Sequence, residues 1–145
     1  MLLVQHIVSG QSGRDLITVK KSDSVEDAAK VLSEHRIGAL VVTEDGKTLE
    51  GILSERDIVR EIGKTGGASL SEPVESLMTK EVKTCEPGMS LLRVLRMMTD
   101  GRFRHLPVVQ DGELKGVVSI GDVVKARIDE IQAENQAMTD MLSGR

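Results

Sequence analysis

Gly116-Val-Val-Ser-Ile-Gly-Asp122 has a counterpart earlier in the chain, Gly51-Ile-Leu-Ser-Glu-Arg-Asp57, and the reading of this pair decides the fold. In each copy a glycine opens a short apolar strand and a serine closes it. An aspartate follows three residues later, where an apolar helical pattern begins. Serine with an acid three positions on marks a helix start: the hydroxyl accepts a free backbone N–H, and the carboxylate meets the positive end of the helix dipole. Capping accounts fully for one such turn. Two in register inside a repeat point further, to strand ends and helix starts that face a cleft, where Asp57 and Asp122 each offer two acceptor oxygens to a vicinal diol such as a ribose.

The repeat extends outward from these turns. Residues 16–19 and 82–85 read as matching strands. Ser24 and Ser90 cap matching helices, with Val25, Ala28, Ala29 and Leu32 reproduced as Leu91, Val94, Leu95 and Met98. Arg36, Leu40 and Asp45-Gly46 recur 66 residues later as Arg102, Leu106 and Asp111-Gly112, and one deletion in the hairpin brings Gly51, Ser54 and Asp57 onto Gly116, Ser119 and Asp122 at a spacing of 65. The Asp-Gly pairs signal turns between antiparallel strands. Each unit reads strand, helix, strand, hairpin, strand, helix, with the first repeat's last helix ending at residue 62 before a glycine-rich stretch. Such a sheet, covered by helices on one face only, leaves an apolar face that the other copy can cover, giving a pseudo-twofold pair within one chain. Residues 4–8 predict a short helix and residues 9–15 a loop. Pro107, lacking an N–H, predicts an edge strand or an interrupted one.

Composition sets the limits. The 145 residues, 39% hydrophobic, suffice for one core or two small lobes. A net charge of −4 argues against a basic nucleic-acid face, and no apolar run reaches the length of a membrane span. With one cysteine, Cys85, no internal disulfide forms, and the cytoplasm is the expected compartment. Phe103 is the only aromatic residue, so a base-binding pocket here would sandwich its ligand mainly between aliphatic side chains.

In the order and duplication of these motifs, together with Arg102-Phe-Arg-His-Leu-Pro-Val-Val109 running into Asp111-Gly112, the chain resembles a tandem pair of cystathionine-beta-synthase (CBS) domains, a Bateman module, over nearly its whole length. The resemblance implies an α+β fold of two β-α-β-β-α repeats packed sheet to sheet: residues 1–66 the first repeat with its N-terminal helix, 67–77 a linker and short helix, 78–128 the second repeat, and 129–145 a C-terminal helical extension. It also implies clefts that bind adenine-containing ligands, namely AMP, ADP, ATP, S-adenosylmethionine or NAD(H), to regulate another protein. No metal is expected beyond magnesium carried by the nucleotide. By position, Asp57 and Asp122 would hold ribose hydroxyls with Ser54 and Ser119 beside them, and Thr18 and Thr84 would lie near base or sugar. The alternative is an interaction module whose clefts bind nothing.

The residues themselves distinguish the two copies. Arg104 and His105 stand where the first repeat has Gly38 and Ala39, and a guanidinium in a loop at a helix N-terminus suits a phosphate; Arg56, just before Asp57, is a further candidate. The alternative is that these charges merely face solvent. Catalysis finds little support: His6, His35 and His105 are scattered, and Gly63-Lys-Thr-Gly-Gly follows a helix rather than the strand a phosphate loop needs. After Asp122 the helical pattern runs on with Val124, Ile128, Ile131, Asn135, Met138 and Leu142, a heptad stripe with one polar core position that predicts self-association as a homodimer. The other reading is a long amphipathic helix folded back on its own lobe.

Overall fold

The computed structural model describes residues 1–10 and 16–144, so the loop expected at residues 9–15 lies, from residue 11 on, outside the described residues. The chain forms two compact units, one of Asp15–Lys83 with Asp111–Lys115, the other of Met1–Arg14, Thr84–Gln110 and Gly116–Arg145.

In the first-repeat unit, β1 (Thr18–Val19) runs parallel to β2 (Ala39–Val42), which pairs antiparallel with β3 (Gly51–Ser54). Parallel neighbours need a crossover, and α2 (Val25–His35) supplies it, buried through Val25, Ala28 and Leu32. The Ser24 hydroxyl accepts the Asp27 N–H at its start, and Arg36 ends it in the left-handed conformation (φ 54°). That is where glycine is usual, because a side chain costs about 1 kcal/mol or more there. α3 (Glu55–Thr65) passes straight through Gly63, since a single interior glycine costs only about 1 kcal/mol of propensity. The stretch expected as a linker is ordered on this unit: a 3-10 segment, Gly66–Ser71, and α4 (Val74–Leu77) pack on α2 and α3, and Val74 is fully buried.

The second-repeat unit contains α1 (Val4–Gly10), α5 (Leu91–Gly101), β4 (His105–Gln110), most of β5 (Glu113–Ser119) and α6 (Ile120–Leu142). Its third strand is reduced to one parallel bridge, Cys85 to Val108, the equivalent of Val19 to Val42. Pro107 is the reason. Its carbonyl accepts the Cys85 N–H at 2.9 Å, but it returns no N–H toward that strand. The interruption therefore falls on the parallel side, while β4 itself runs unbroken. Asp111 and Gly112, at φ 53° and 79°, form the tight hairpin turn in which both central residues are left-handed. In the longer first-repeat hairpin only Gly46 has positive φ (77°), and the Asp45 carboxylate holds the loop by accepting from the Lys47 and Thr48 N–H groups at 2.8 and 2.7 Å.

The N-terminal helix, grouped with the first repeat by sequence position, packs in the second-repeat unit, where Val4 is fully buried. It does there what Glu72 to Met78 do in the other unit. The Leu91 N–H donates to Leu2 O as the Val25 N–H donates to Glu72 O, Val4 N–H to Met89 O as Val74 N–H to Asp23 O, and Gln5 N–H to Pro87 O as Glu75 N–H to Lys21 O. Val8 lies against Gly116 as Met78 lies against Gly51. Each repeat thus has its α-β core braced by a short segment that precedes the other repeat in sequence.

Candidate functional site

Both duplicated turns are complete capping boxes. In the first, the Ser54 N–H donates to Asp57 Oδ2 (2.9 Å) and the Asp57 N–H to Ser54 Oγ (3.2 Å). In the second, the Ser119 N–H donates to Asp122 Oδ2 (3.3 Å) and the Asp122 N–H to Ser119 Oγ (3.1 Å). The first helical N–H of each is also taken: Glu55 N–H by Gly38 O at 2.9 Å, Ile120 N–H by Arg104 O at 2.7 Å. The capping reading therefore holds in both copies. It also fixes each carboxylate in direction, with one oxygen committed to the cap. In Asp57, whose side chain is 19% exposed, the other oxygen stands 3.9 Å from Arg60 Nη1. An acceptor held this way loses little freedom when it meets a hydroxyl group.

The carbonyl contacts explain what sequence left unsaid about Arg104. Its backbone is pinned to the start of α6 while its side chain is exposed, so the guanidinium is rooted at the positive end of that helix. His105, half-buried, opens β4 immediately after it. The second-repeat unit thus brings Arg104, His105, Ser119 and Asp122 to one strand and helix junction. In the first-repeat unit the same junction is formed by Gly38, Ala39, Ser54 and Asp57, with Arg56 exposed in the first turn of α3. Thr18 is half-buried in β1 opposite Val41, and Thr84 is half-buried beside the Cys85 bridge.

Phe103, the one aromatic residue, is partly buried. Its ring packs on the second-repeat core and lies across the end of α5, within 2.1 Å of where a Gly101 side chain would begin. Its counterpart Ile37 lines an open groove of about 460 Å³ between α2 and α3, with Ala29, Ser33, Arg36, Gly38 and Glu55. At the equivalent places the second repeat has the larger Phe103 and Leu95. Sequence reading missed Gly101, whose signal is a glycine two residues before the only aromatic ring. It also missed the structural role of Gly38 and Arg104, which lies in backbone carbonyls and leaves no side-chain trace.

The Cys85 thiol, 1% exposed, is pushed up to about 12 by burial, which makes it an inert core group at neutral pH. Among the described residues no cluster of three or more His, Cys, Asp or Glu side chains is arranged to hold a metal ion, and no helix is long and apolar enough to cross a membrane.

Comparison with known proteins adds to this geometry. The family model described as CBS domain matches twice, over residues 12–64 and 74–129. The chain is 43% identical over 126 residues to the mitochondrial CBS domain-containing protein CBSX3 of Arabidopsis thaliana, covering 84% of this chain and 61% of that protein. Among solved structures, a CBS-domain containing protein from Agrobacterium tumefaciens superposes with a TM-score of 0.82 at 43% identity, over 87% of this chain and 99% of that one. Two more distant structures share the fold at 24% identity. One is the CBS domain pair of protein MJ0100 in complex with 5-methylthioadenosine and S-adenosyl-L-methionine (TM-score 0.77; 90% of this chain, 98% of that one). The other is a CBS domain protein from Pyrobaculum aerophilum complexed with AMP (TM-score 0.73; 83% and 89%). With two matches in tandem, duplicated capping boxes at matching positions and a shared fold, the chain belongs to the CBS-domain family as a CBS pair.

Proposed function

We propose that this CBS pair is a regulatory sensor of adenine nucleotides, of the AMP, ADP, ATP or NAD(H) kind, that acts on a separate protein and carries out no chemistry itself. The observation that carries the reading is the matched pair of cap-fixed carboxylates, Asp57 and Asp122, in a fold whose relatives include proteins crystallised with adenosyl ligands. The cap-fixed oxygens supply the diol acceptors, with Ser54, Ser119, Thr18 and Thr84 around them. The two sites are unequal in this reading: Arg104 and His105 favour a phosphate at one junction, where Gly38 and Ala39 offer only backbone, and Arg56 is a further phosphate contact. The cytoplasm is the compartment this reading assigns.

The module acts as a homodimer in the same reading. What supports it is the stripe along α6, where Ile128, Met138 and Leu142 are 49%, 64% and 84% exposed and Asn135 occupies one position of the heptad. Sedimentation of the full chain and of a chain ending at Gln132, which keeps the buried Glu130, tests this: the shorter chain sediments as a smaller assembly if α6 is the association element.

The ligand reading is tested by melting the protein with AMP, ADP, ATP, NAD, NADH and S-adenosylmethionine in turn. A ligand at 100 times its Kd adds about 2.7 kcal/mol. No shift with any of the six favours an interaction module with empty clefts. With a ligand in hand, Arg104→Ala should weaken AMP about tenfold or more while leaving adenosine nearly unchanged; equal losses would remove the phosphate role.

A further inference from the structure

The segment bracing the second-repeat unit is held differently from its counterpart in the other unit, and the difference is titratable. Its leading N–H groups go to side chains rather than to backbone: Leu2 N–H donates to Glu130 Oε2, and Leu3 N–H donates to His6 Nδ1 at 2.8 Å. Glu130 is 8% exposed and is held from its other oxygen by Arg127. It is the last buried residue of α6, so the strap is fastened to the last buried turn of that helix. At the position equivalent to His6 the other brace has Ser76, which does not titrate.

We propose that residues 1–8 form an acid-releasable strap, latched by neutral His6 at its helix start and by ionised Glu130 on α6. A neutral imidazole has one acceptor nitrogen and an imidazolium has none, so protonation of His6 abolishes the Leu3 contact outright. It also sets a positive charge in the first turn of α1, beside the positive end of the helix. Histidine is the side chain whose charge changes between pH 5 and 8. The Glu130 carboxyl is held below the ordinary carboxylate range, chiefly by the Leu2 N–H and then by Arg127. Its share of the latch is therefore lost only in stronger acid. The other charged groups around the strap are Glu86, beside the Pro87 carbonyl that accepts Gln5 N–H, and the amino group of Met1, 3.9 Å from Glu130. Release bares the seat of Val4 in the second-repeat core.

Hydrogen exchange on the full chain at pH 7.5 and 5.5, expressed as protection relative to the unstructured rate at each pH, tests the latch. Protection of the Val4 and Gln5 amides should fall about fivefold at the lower pH, the scale of one net hydrogen bond, while the equivalent Val74 and Glu75 amides stay level. In His6→Gln the fall should vanish, because a glutamine at the third helical position accepts from the same N–H at either pH. Unchanged Val4 and Gln5 protection in the native chain, an equal fall at Val74 and Glu75, or the same fall in His6→Gln would each overturn the proposal.

Discussion

Replacing Ser119 and Asp122 by alanine, one at a time, separates the two jobs assigned to the second capped turn. Ser119→Ala removes the acceptor of the Asp122 N–H but leaves the carboxylate, and loss of a serine cap costs about 1 kcal/mol. Asp122→Ala removes the acceptor of the Ser119 N–H and a negative charge in the first turn of the 23-residue α6, about 1 kcal/mol for the cap and up to about 1 kcal/mol more for the dipole. At roughly 2–4 °C of melting temperature per kcal/mol for a chain of this size, both variants should melt a few degrees lower, Asp122→Ala the more so. Their affinities should diverge. Asp122→Ala loses about 1.5–3 kcal/mol of a hydrogen bond to a charged group, about ten- to 150-fold, whereas Ser119→Ala changes nucleotide affinity less than about threefold. Calorimetric titration with whichever nucleotide raises the melting point, alongside melts of each variant, reads both quantities. Equal losses of affinity in the two variants would show that the helix start as a whole, and not the carboxylate, carries binding; intact affinity in Asp122→Ala would leave the aspartate as a cap alone.

Gly51→Ala should destabilise by about 1–3 kcal/mol, because the new Cβ would stand 2.7 Å from Met78 Sδ and 2.9 Å from the Thr79 carbonyl. Gly116→Ala meets only Val8 at 3.5 Å and should stay within about 0.5 kcal/mol of the native chain in a denaturant melt. Cys85 should resist a thiol reagent at pH 8 in the folded protein and react at once on unfolding, with rapid reaction under native conditions counting against its burial. The Asp45 carboxyl is held below its ordinary value, first by the Thr48 N–H, then by the Lys47 N–H. Its contribution is therefore complete above the ordinary aspartate range and lost as pH falls through the lowered value. Asp45→Asn should melt lower at pH 7, with the gap closing in acid; a gap that persists at the lowest pH would assign the effect to the loop's shape instead of its charge.

Much of the fold was legible because the features that specify it are local and repeated. Ser24, Ser54, Ser90 and Ser119 announce helix starts that the structure realises bond for bond, and Asp111-Gly112 announces its turn. What sequence could not place depends on contacts far apart in the chain. Nothing local says that Val4 belongs beside Leu91, since the pairing is made by backbone groups of Leu2, Val4 and Gln5 with no side-chain signature. Nor does a glycine-rich run such as residues 63–71 reveal that packing against α2 will order it. For the site, both duties of Asp57 and Asp122 were readable, and one oxygen of each is engaged by the cap; the packing of the Phe103 ring on the core was not, because it depends on residues distant in the chain.

The two repeats agree where the backbone must be held and differ where a ligand would be read. Capping boxes, carbonyl contacts to the first helical N–H, left-handed arginines at the ends of α2 and α5, and bracing segments all occur twice. These devices hold the backbone around each repeat's strand ends and helix termini. The differences gather at the same junctions: Gly38 and Ala39 against Arg104 and His105, Arg56 against Gly121, Ile37 against Phe103. A charged group added at such a junction can gain directional contact without reshaping the site, since its backbone carbonyl is already held by the helix start. In the proposed reading, selectivity between the two halves follows from a handful of side chains on a common scaffold. Exchanging Arg104 with Gly38 is the smallest change that should transfer a phosphate preference from one half to the other, because both residues already present the same carbonyl to the same helix position.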